Sequence, residues 1–277
     1  MIVGIRAHDL VKGSIDRVLT QAAEYGFDAV QLVFKKALTD ENGKNISFTE
    51  ETKNQVKEAL KRHNVKIAML GAYFNPVHSN KELVRTNVEY FKEHLKYANE
   101  LNCRYVGTET GSYNDDKWTY NPKNQTEEGY QDTMKIFQEL VSVAKEYNSV
   151  ILMEPAWGHV IYSVSHLKRA YDEINSEHLK VTIDIYNLIY LGNYTQYKEI
   201  FLEALETFKD DVKIIHLKDF YVENEKIVQC GLGKGIIDFK FIIETVKKHS
   251  PNATLIFEGV MGDDIISSKK LIDSLNK

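Results

Sequence analysis

Val212-Lys213-Ile214-Ile215-His216-Leu217-Lys218-Asp219-Phe220 is a run of mostly apolar, β-favouring residues that passes directly into a polar cluster. Such a run reads as a buried strand carrying chemistry at its C-terminal end. Three other stretches have the same form: Val150-Ile151-Leu152-Met153-Glu154, Lys180-Val181-Thr182-Ile183-Asp184 and Ala253-Thr254-Leu255-Ile256-Phe257-Glu258. Each ends in a side chain able to ligate a metal.

From Glu154 to Asp184 is 184 − 154 = 30 positions, from Asp184 to His216 is 216 − 184 = 32, and from His216 to Glu258 is 258 − 216 = 42. Each interval holds one helix with its loops, and the last has room for a longer loop. The N-terminal half repeats the pattern. Strands are expected at Ile2–Ile5, Ala29–Phe34, Val65–Leu70 and Arg104–Glu109. The helices between them include one that stops at Gly26, one capped by Thr49, and a long amphipathic one with capping-box spacing at Ser79 and Glu82. Further helices are expected near 127–147, 165–174, 197–208, 238–249 and 265–275. Strands and helices therefore alternate eight times, which predicts an α/β fold, a parallel (β/α)8 TIM barrel in one domain over residues 1–277. No Gly-x-Gly-x-x-Gly follows the first strand, so a dinucleotide-binding sheet lacks its fingerprint.

Bulk properties narrow the function. The chain of 277 residues is 43% hydrophobic and 27% charged, a soluble globular balance, and no apolar run approaches the ~18 residues a membrane span needs. The N-terminal apolar run is too short for a signal peptide, and Cys103 and Cys230 form no metal-type or disulfide framework, so a cytoplasmic location is expected. A net charge of −5 offers no general attraction to a phosphate backbone, which weighs against nucleic acid as partner.

In a (β/α)8 barrel the C-terminal strand ends share one rim. Glu154, Asp184, His216 and Glu258 are thus expected to converge. A strand-end carboxylate alone is commonly an ion-pair partner or a helix cap, and a lone histidine is commonly structural; four at one position on the last four strands make a metal site. Three carboxylates and one imidazole suit one divalent ion, Mn2+ first, with Mg2+, Co2+ or Zn2+ as alternatives. Such an ion polarises a carbonyl and stabilises an enediolate, while Glu154 and Glu258 remove and return a proton at a sugar carbon.

The Glu-Pro of Met153-Glu154-Pro155, Thr182-Ile183-Asp184, His216-Leu217-Lys218-Asp219 and Phe257-Glu258-Gly259, in that order, resemble the xylose isomerase-like TIM barrel superfamily. It includes ketose 3-epimerases, inosose dehydratases and endonuclease IV. The resemblance implies a metal-dependent sugar isomerase or epimerase with Glu154, Asp184, His216 and Glu258 as ligands, both glutamates as acid/base pair, a sugar or polyol substrate, and often a homo-oligomer. Asn187 stands where the epimerases and endonuclease IV carry a histidine, and the epimerases' arginine beyond the metal histidine is not evident. Gly107-Thr108-Glu109-Thr110-Gly111 and His216-Leu217-Lys218-Asp219 are also similar to inosose dehydratase, so a lyase with Lys218 or His159 protonating a departing hydroxyl is the alternative. An endonuclease IV-like hydrolase and a non-catalytic polyol-binding protein are more distant ones.

Candidate substrate contacts are His159 and Trp157 in the loop after strand five, Asn187, Lys218 and Glu109. Each has a plainer structural role open to it. Arg6 and His8 also end a strand at the rim, where an arginine usually sits in an ion pair. Gly231-Leu232-Gly233-Lys234-Gly235 precedes a helix in a region that binds phosphate in some barrels, but a flexible turn is the simpler reading, and a phosphorylated substrate is not inferred from it.

Overall fold

The computed structural model describes residues Met1–Lys277. Its strands are β1 (Val3–Arg6), β2 (Ala29–Leu32), β3 (Lys66–Gly71), β4 (Tyr105–Glu109), β5 (Val150–Glu154), β6 (Leu179–Asp184), β7 (Val212–Leu217), β8 (Asp219–Glu223), β9 (Lys226–Cys230) and β10 (Thr254–Phe257). All but β8 and β9 run parallel and close into a barrel in the order β1-β10-β7-β6-β5-β4-β3-β2. The chain is thus an α/β (β/α)8 TIM barrel. No helix is long and apolar enough to cross a membrane.

Helices surround the barrel: α1 (Ala7–Leu10), α2 (Ile15–Glu24), α3 (Phe34–Ala37), α4 (Glu50–Arg62), α5 (Lys81–Tyr97), α6 (Glu127–Glu146), α7 (Val164–Ile174), α8 (Ile185–Leu188), α9 (Tyr197–Phe208), α10 (Phe239–His249) and α11 (Asp264–Leu275). The single-turn helices α1, α3 and α8 follow β1, β2 and β6 directly. The long ones are started by side-chain caps: Ser14 for α2, Thr49 for α4, Thr126 for α6, Ser163 for α7 and Asp238 for α10. At α5 the expected Ser79 cap is replaced by Asn80, which accepts from the Leu83 N–H. Ser79 instead gives its own N–H and hydroxyl to Asp115.

Alternation along each strand decides what faces the lumen. Val150 and Leu152 pack there with Met69, Ile214 and Ile256, whereas Ile151, Met153 and Ile215 join the larger core between barrel and helices. Gly107 makes room for this filling, because a Cβ there would lie 2.3 Å from the Met69 sulfur. One step further toward the rim, the same inward parity carries Glu154, Asp184, His216 and Glu258 above the apolar plug.

The segment after β7 departs from expectation. It folds as the antiparallel hairpin β8–β9, turning at Asn224 and Glu225 with φ of 48° and 55°, the left-handed pair of a tight hairpin turn. The glycine loop behind it is not a free anion cradle. Asp219 Oδ2 accepts from the N–H groups of Gly233 (2.9 Å) and Gly235 (2.8 Å), and Oδ1 accepts from Phe220 (2.8 Å) and Ile237 (3.1 Å). A carboxylate of the chain itself takes up the backbone donors that an anion bound here would need.

Candidate metal centre

Glu154, Asp184, His216 and Glu258 are all buried, and one ligand atom from each lies within 4.8 Å of the others. Strand register brings them there: Asp184 sits beside His216, which in turn sits beside Ile256, two residues before Glu258. One imidazole nitrogen faces all three carboxylates. His216 Nδ1 is 2.9 Å from Glu258 Oε2, 3.2 Å from Glu154 Oε1 and 3.9 Å from Asp184 Oδ2.

Each ligand is held from outside. Asp184 uses Oδ1 to cap α8 through the Tyr186 N–H, at 2.9 Å. Its Oδ2 is buried without an aligned hydrogen-bond donor, although Lys218 Nζ lies 2.8 Å away. Glu258 Oε1 receives Arg6 Nη1 at 2.6 Å and Lys218 Nζ at 2.8 Å. Arg6 is itself clamped by Asp9 through two hydrogen bonds of 2.7 and 2.9 Å, and Asp9 also accepts the Gly259 N–H at 2.6 Å. On the other side of that peptide, Gln229 of the hairpin donates to the Glu258 carbonyl at 2.7 Å. Behind His216, Gln31 Oε1 lies 2.7 Å from Nε2, placed to accept an N–H there, which turns Nδ1 to the centre.

The charges reinforce one another. Burial would depress the His216 imidazole, yet Glu154 and Glu258 push it up to about 10. Burial also opposes charge on Lys218, but Asp184 and Glu258 hold it firmly protonated. Glu258 is driven well below the carboxylate range because Lys218 and His216 outweigh its burial, whereas burial leaves Asp184 raised. When no metal is bound, the imidazolium supplies the positive charge between the three carboxylates, and a metal ion would displace its Nδ1 proton. A hard divalent ion fits this donor set, with the imidazole as the single softer ligand.

The remaining candidates fall at different distances from the centre. Asn187 bridges the cluster: its amide donates to Glu154 Oε1 (2.8 Å) and Glu109 Oε1 (3.3 Å) and accepts from Lys218 Nζ (3.2 Å). Glu109 lines a cavity of about 350 Å³ with Glu154, Glu258, Arg6, Tyr73 and Trp118. Burial, with Glu154 beside it, raises the Glu109 carboxyl to about 8. His159 turns its Nε2 to the Trp118 carbonyl at 3.1 Å, and burial lowers it to about 4, so it is a neutral imidazole. Trp157 stacks on both Tyr120 (5.1 Å) and Tyr190 (4.3 Å), its backbone N–H on the Asn187 carbonyl. Arg6 is in the expected ion pair, and His8 lines the cavity.

Gln31, Tyr73, Asp9 and Gln229 were not legible as site residues. A signal existed for Gln31: it is the one polar residue in the apolar run Ala29-Val30-Gln31-Leu32-Val33-Phe34.

Comparison with known proteins agrees with the architecture. The chain resembles a D-tagatose 3-epimerase-like protein at 20% identity and a TM-score of 0.75, covering 99% of this chain and 97% of that one. It resembles 3-keto-D-glucoside 4-epimerase from E. coli at 15% identity and a TM-score of 0.76, covering 99% and 98%. The zinc-binding IOLI protein is similar at 14% identity and a TM-score of 0.74, covering 99% and 96%. No curated protein matches the chain significantly by sequence. The sequence profile of one family spans residues 19–273, and with it the chain belongs to the xylose isomerase-like TIM barrel family.

Proposed function

We propose that the protein is a divalent-metal-dependent sugar isomerase or epimerase that moves a proton on a ketose or related polyol. The observation that carries this reading is the convergence of Glu154, Asp184, His216 and Glu258 on one point, with Glu154 and Glu258 also lining the rim cavity. A bound divalent ion, Mn2+ by the oxygen-rich ligand set, would polarise the carbonyl of the substrate. Glu154 and Glu258 both open onto the cavity, from β5 and from the end of β10, so one removes a proton beside the carbonyl and the other returns it. Arg6 and Lys218 hold Glu258 ionised, as a base must be. Asn187 and Lys218 would reach substrate hydroxyls only by exchanging a contact to Glu154, Glu109, Asp184 or Glu258, whereas Glu109, pushed toward its protonated form and lining the cavity, donates to one. Trp157 and His159 shape the loop above. The same reading makes residues 1–277 one cytoplasmic domain whose partner is a small sugar or polyol.

A lyase would need Lys218 or His159 to release a proton readily. Lys218 is locked between Asp184 and Glu258, and His159 spends Nε2–H on a backbone carbonyl, which favours the isomerase reading.

The test is metal content by elemental analysis after exchange against Mn2+, for wild type and His216→Ala, followed by deuterium exchange from solvent into ketoses and inososes. About one ion per chain, lost in the variant, with deuterium entering a carbon-bound position, is the expected result. A metal-free wild type, or substrate that loses water, overturns it.

A further inference from the structure

Gln31 is fully buried in the middle of β2, and its amide touches two polar atoms: His216 Nε2 at 2.7 Å through Oε1, and Tyr73 Oη at 2.8 Å through Nε2. Those two contacts cannot be assigned independently. An amide presents a carbonyl on one side and an NH2 on the other, so the proton on one neighbour dictates the proton on the other.

For His216 to offer the Nδ1 lone pair to a cation, its proton must be on Nε2. Gln31 then accepts with Oε1 and is bound to aim its NH2 at Tyr73. A donor facing Tyr73 fills an acceptor site on Oη and leaves the hydroxyl proton free to point elsewhere. Tyr73 makes no other side-chain hydrogen bond. It lines the same cavity as Glu109, Glu154 and Glu258. The ring keeps that position because residue 71 is glycine: a Cβ there would lie 2.8 Å from the Tyr73 ring.

We propose that Tyr73 donates a hydrogen bond to a hydroxyl or carbonyl oxygen of the substrate, and that Gln31 couples the direction of this bond to the metal-binding tautomer of His216. The inference rests on the metal-sugar reading above. With the amide reversed, Gln31 would donate to His216 Nε2, Tyr73 would spend its proton on Gln31, and Nδ1 would be protonated. The metal-competent state and the open Tyr73 donor are therefore one state. Gln31 is a positioning residue, and Tyr73 a substrate-binding one.

Neutron diffraction from deuterium-exchanged crystals of the zinc-loaded full chain reads the protons directly. The expected map places deuterium on His216 Nε2, the Gln31 ND2 toward Tyr73, and the Tyr73 deuteron in the cavity. Gln31→Glu supplies an acceptor on both sides, so it keeps zinc and the His216 tautomer but draws the Tyr73 deuteron out of the cavity. On a ketose that wild type exchanges, Tyr73→Phe and Gln31→Glu each lower kcat/KM about tenfold, mainly through KM, and the double variant is no worse than Tyr73→Phe. Zinc uptake with the Tyr73 deuteron on Gln31, an unaffected Tyr73→Phe, or additive losses overturns this inference alone. A wild type that takes up neither Mn2+ nor zinc overturns the functional reading and this inference with it.

Discussion

Asp219 and Glu258 are both buried carboxylates beside the C-terminal end of β7, and they are satisfied by opposite means. Asp219 receives four backbone N–H groups from Phe220, Gly233, Gly235 and Ile237, a closed arrangement of neutral donors. Glu258 is compensated by side-chain cations, Arg6, Lys218 and His216, and shares its surroundings with Glu154 and Asp184. Backbone donors are fixed by the fold and complete; an anion so held has no capacity left for a ligand. Carboxylates gathered around one imidazole retain such capacity, and burial makes their mutual repulsion costly without a cation. The first arrangement ties a loop down, and the second is where a metal and a substrate can act.

The largest expected effect tests the second arrangement. Glu258→Gln keeps the shape and removes the basicity, and turnover of the exchanged ketose should fall roughly 100- to 10,000-fold. Unchanged turnover would falsify the acid/base role. Asp219→Asn, in contrast, should leave turnover nearly intact.

The contrast between these carboxylates also marks what sequence could carry. Strand ends at Glu154, Asp184, His216 and Glu258 were legible because period-two alternation and regular spacing fix both the face and the height of a residue on a barrel strand. The Asp219 knot was not, because its donors are backbone groups that leave no trace in side-chain identity beyond the two glycines, Gly233 and Gly235. The hairpin β8–β9 escaped for a related reason: Phe220-Tyr221-Val222 and Ile227-Val228 are β-favouring, but Asn224-Glu225 lacks the glycine that usually signals a two-residue turn. Arg6 was visible at a strand end, whereas its clamp, Asp9, lies in a one-turn helix that no periodicity reveals.

Asp219→Ala comes next in size. It leaves four backbone N–H groups without acceptors, of which those of Phe220, Gly235 and Ile237 belong to buried or half-buried residues, and should cost about 3 kcal/mol in chemical denaturation. Metal content should stay at the wild-type level. If Asp219→Ala loses metal as completely as His216→Ala, the two arrangements are one cooperative unit and the distinction fails.

Metal linkage is of similar size and opposite in location. A divalent ion at about 100 times its Kd stabilises the folded state by about 2.7 kcal/mol. For a chain of this size that corresponds to a rise in Tm of roughly 5 to 10 °C. Calorimetry with and without Mn2+ should show the rise in wild type and in Asp219→Asn, and none in His216→Ala.

The smallest effect puts the same question to two histidines. His216 and His94 are equally buried, at 1% and 0% exposure. His216, among carboxylates, is raised to about 10, whereas burial lowers His94 to about 4, with its Nδ1–H on the Tyr90 carbonyl at 2.8 Å and Nε2 without a partner. Burial alone therefore does not set the direction; the neighbours do. For His94 the folded-state value lies below the unfolded value of 6.5, so the unfolded chain takes up the proton first. Its contribution to stability is complete above pH 6.5 and is lost as pH falls toward 4, reaching about 1.4 kcal/mol at pH 5.5. His94→Leu removes the titrating group while keeping an apolar side chain against Phe48, which stacks on the ring at 4.1 Å. Denaturation at pH 7 and pH 5.5 should show the gap between the two pH values narrowing by about 1 kcal/mol in His94→Leu. An unchanged gap would mean that His94 takes up its proton in the folded protein as readily as in the unfolded chain, and that burial among aromatic rings does not disfavour its charge.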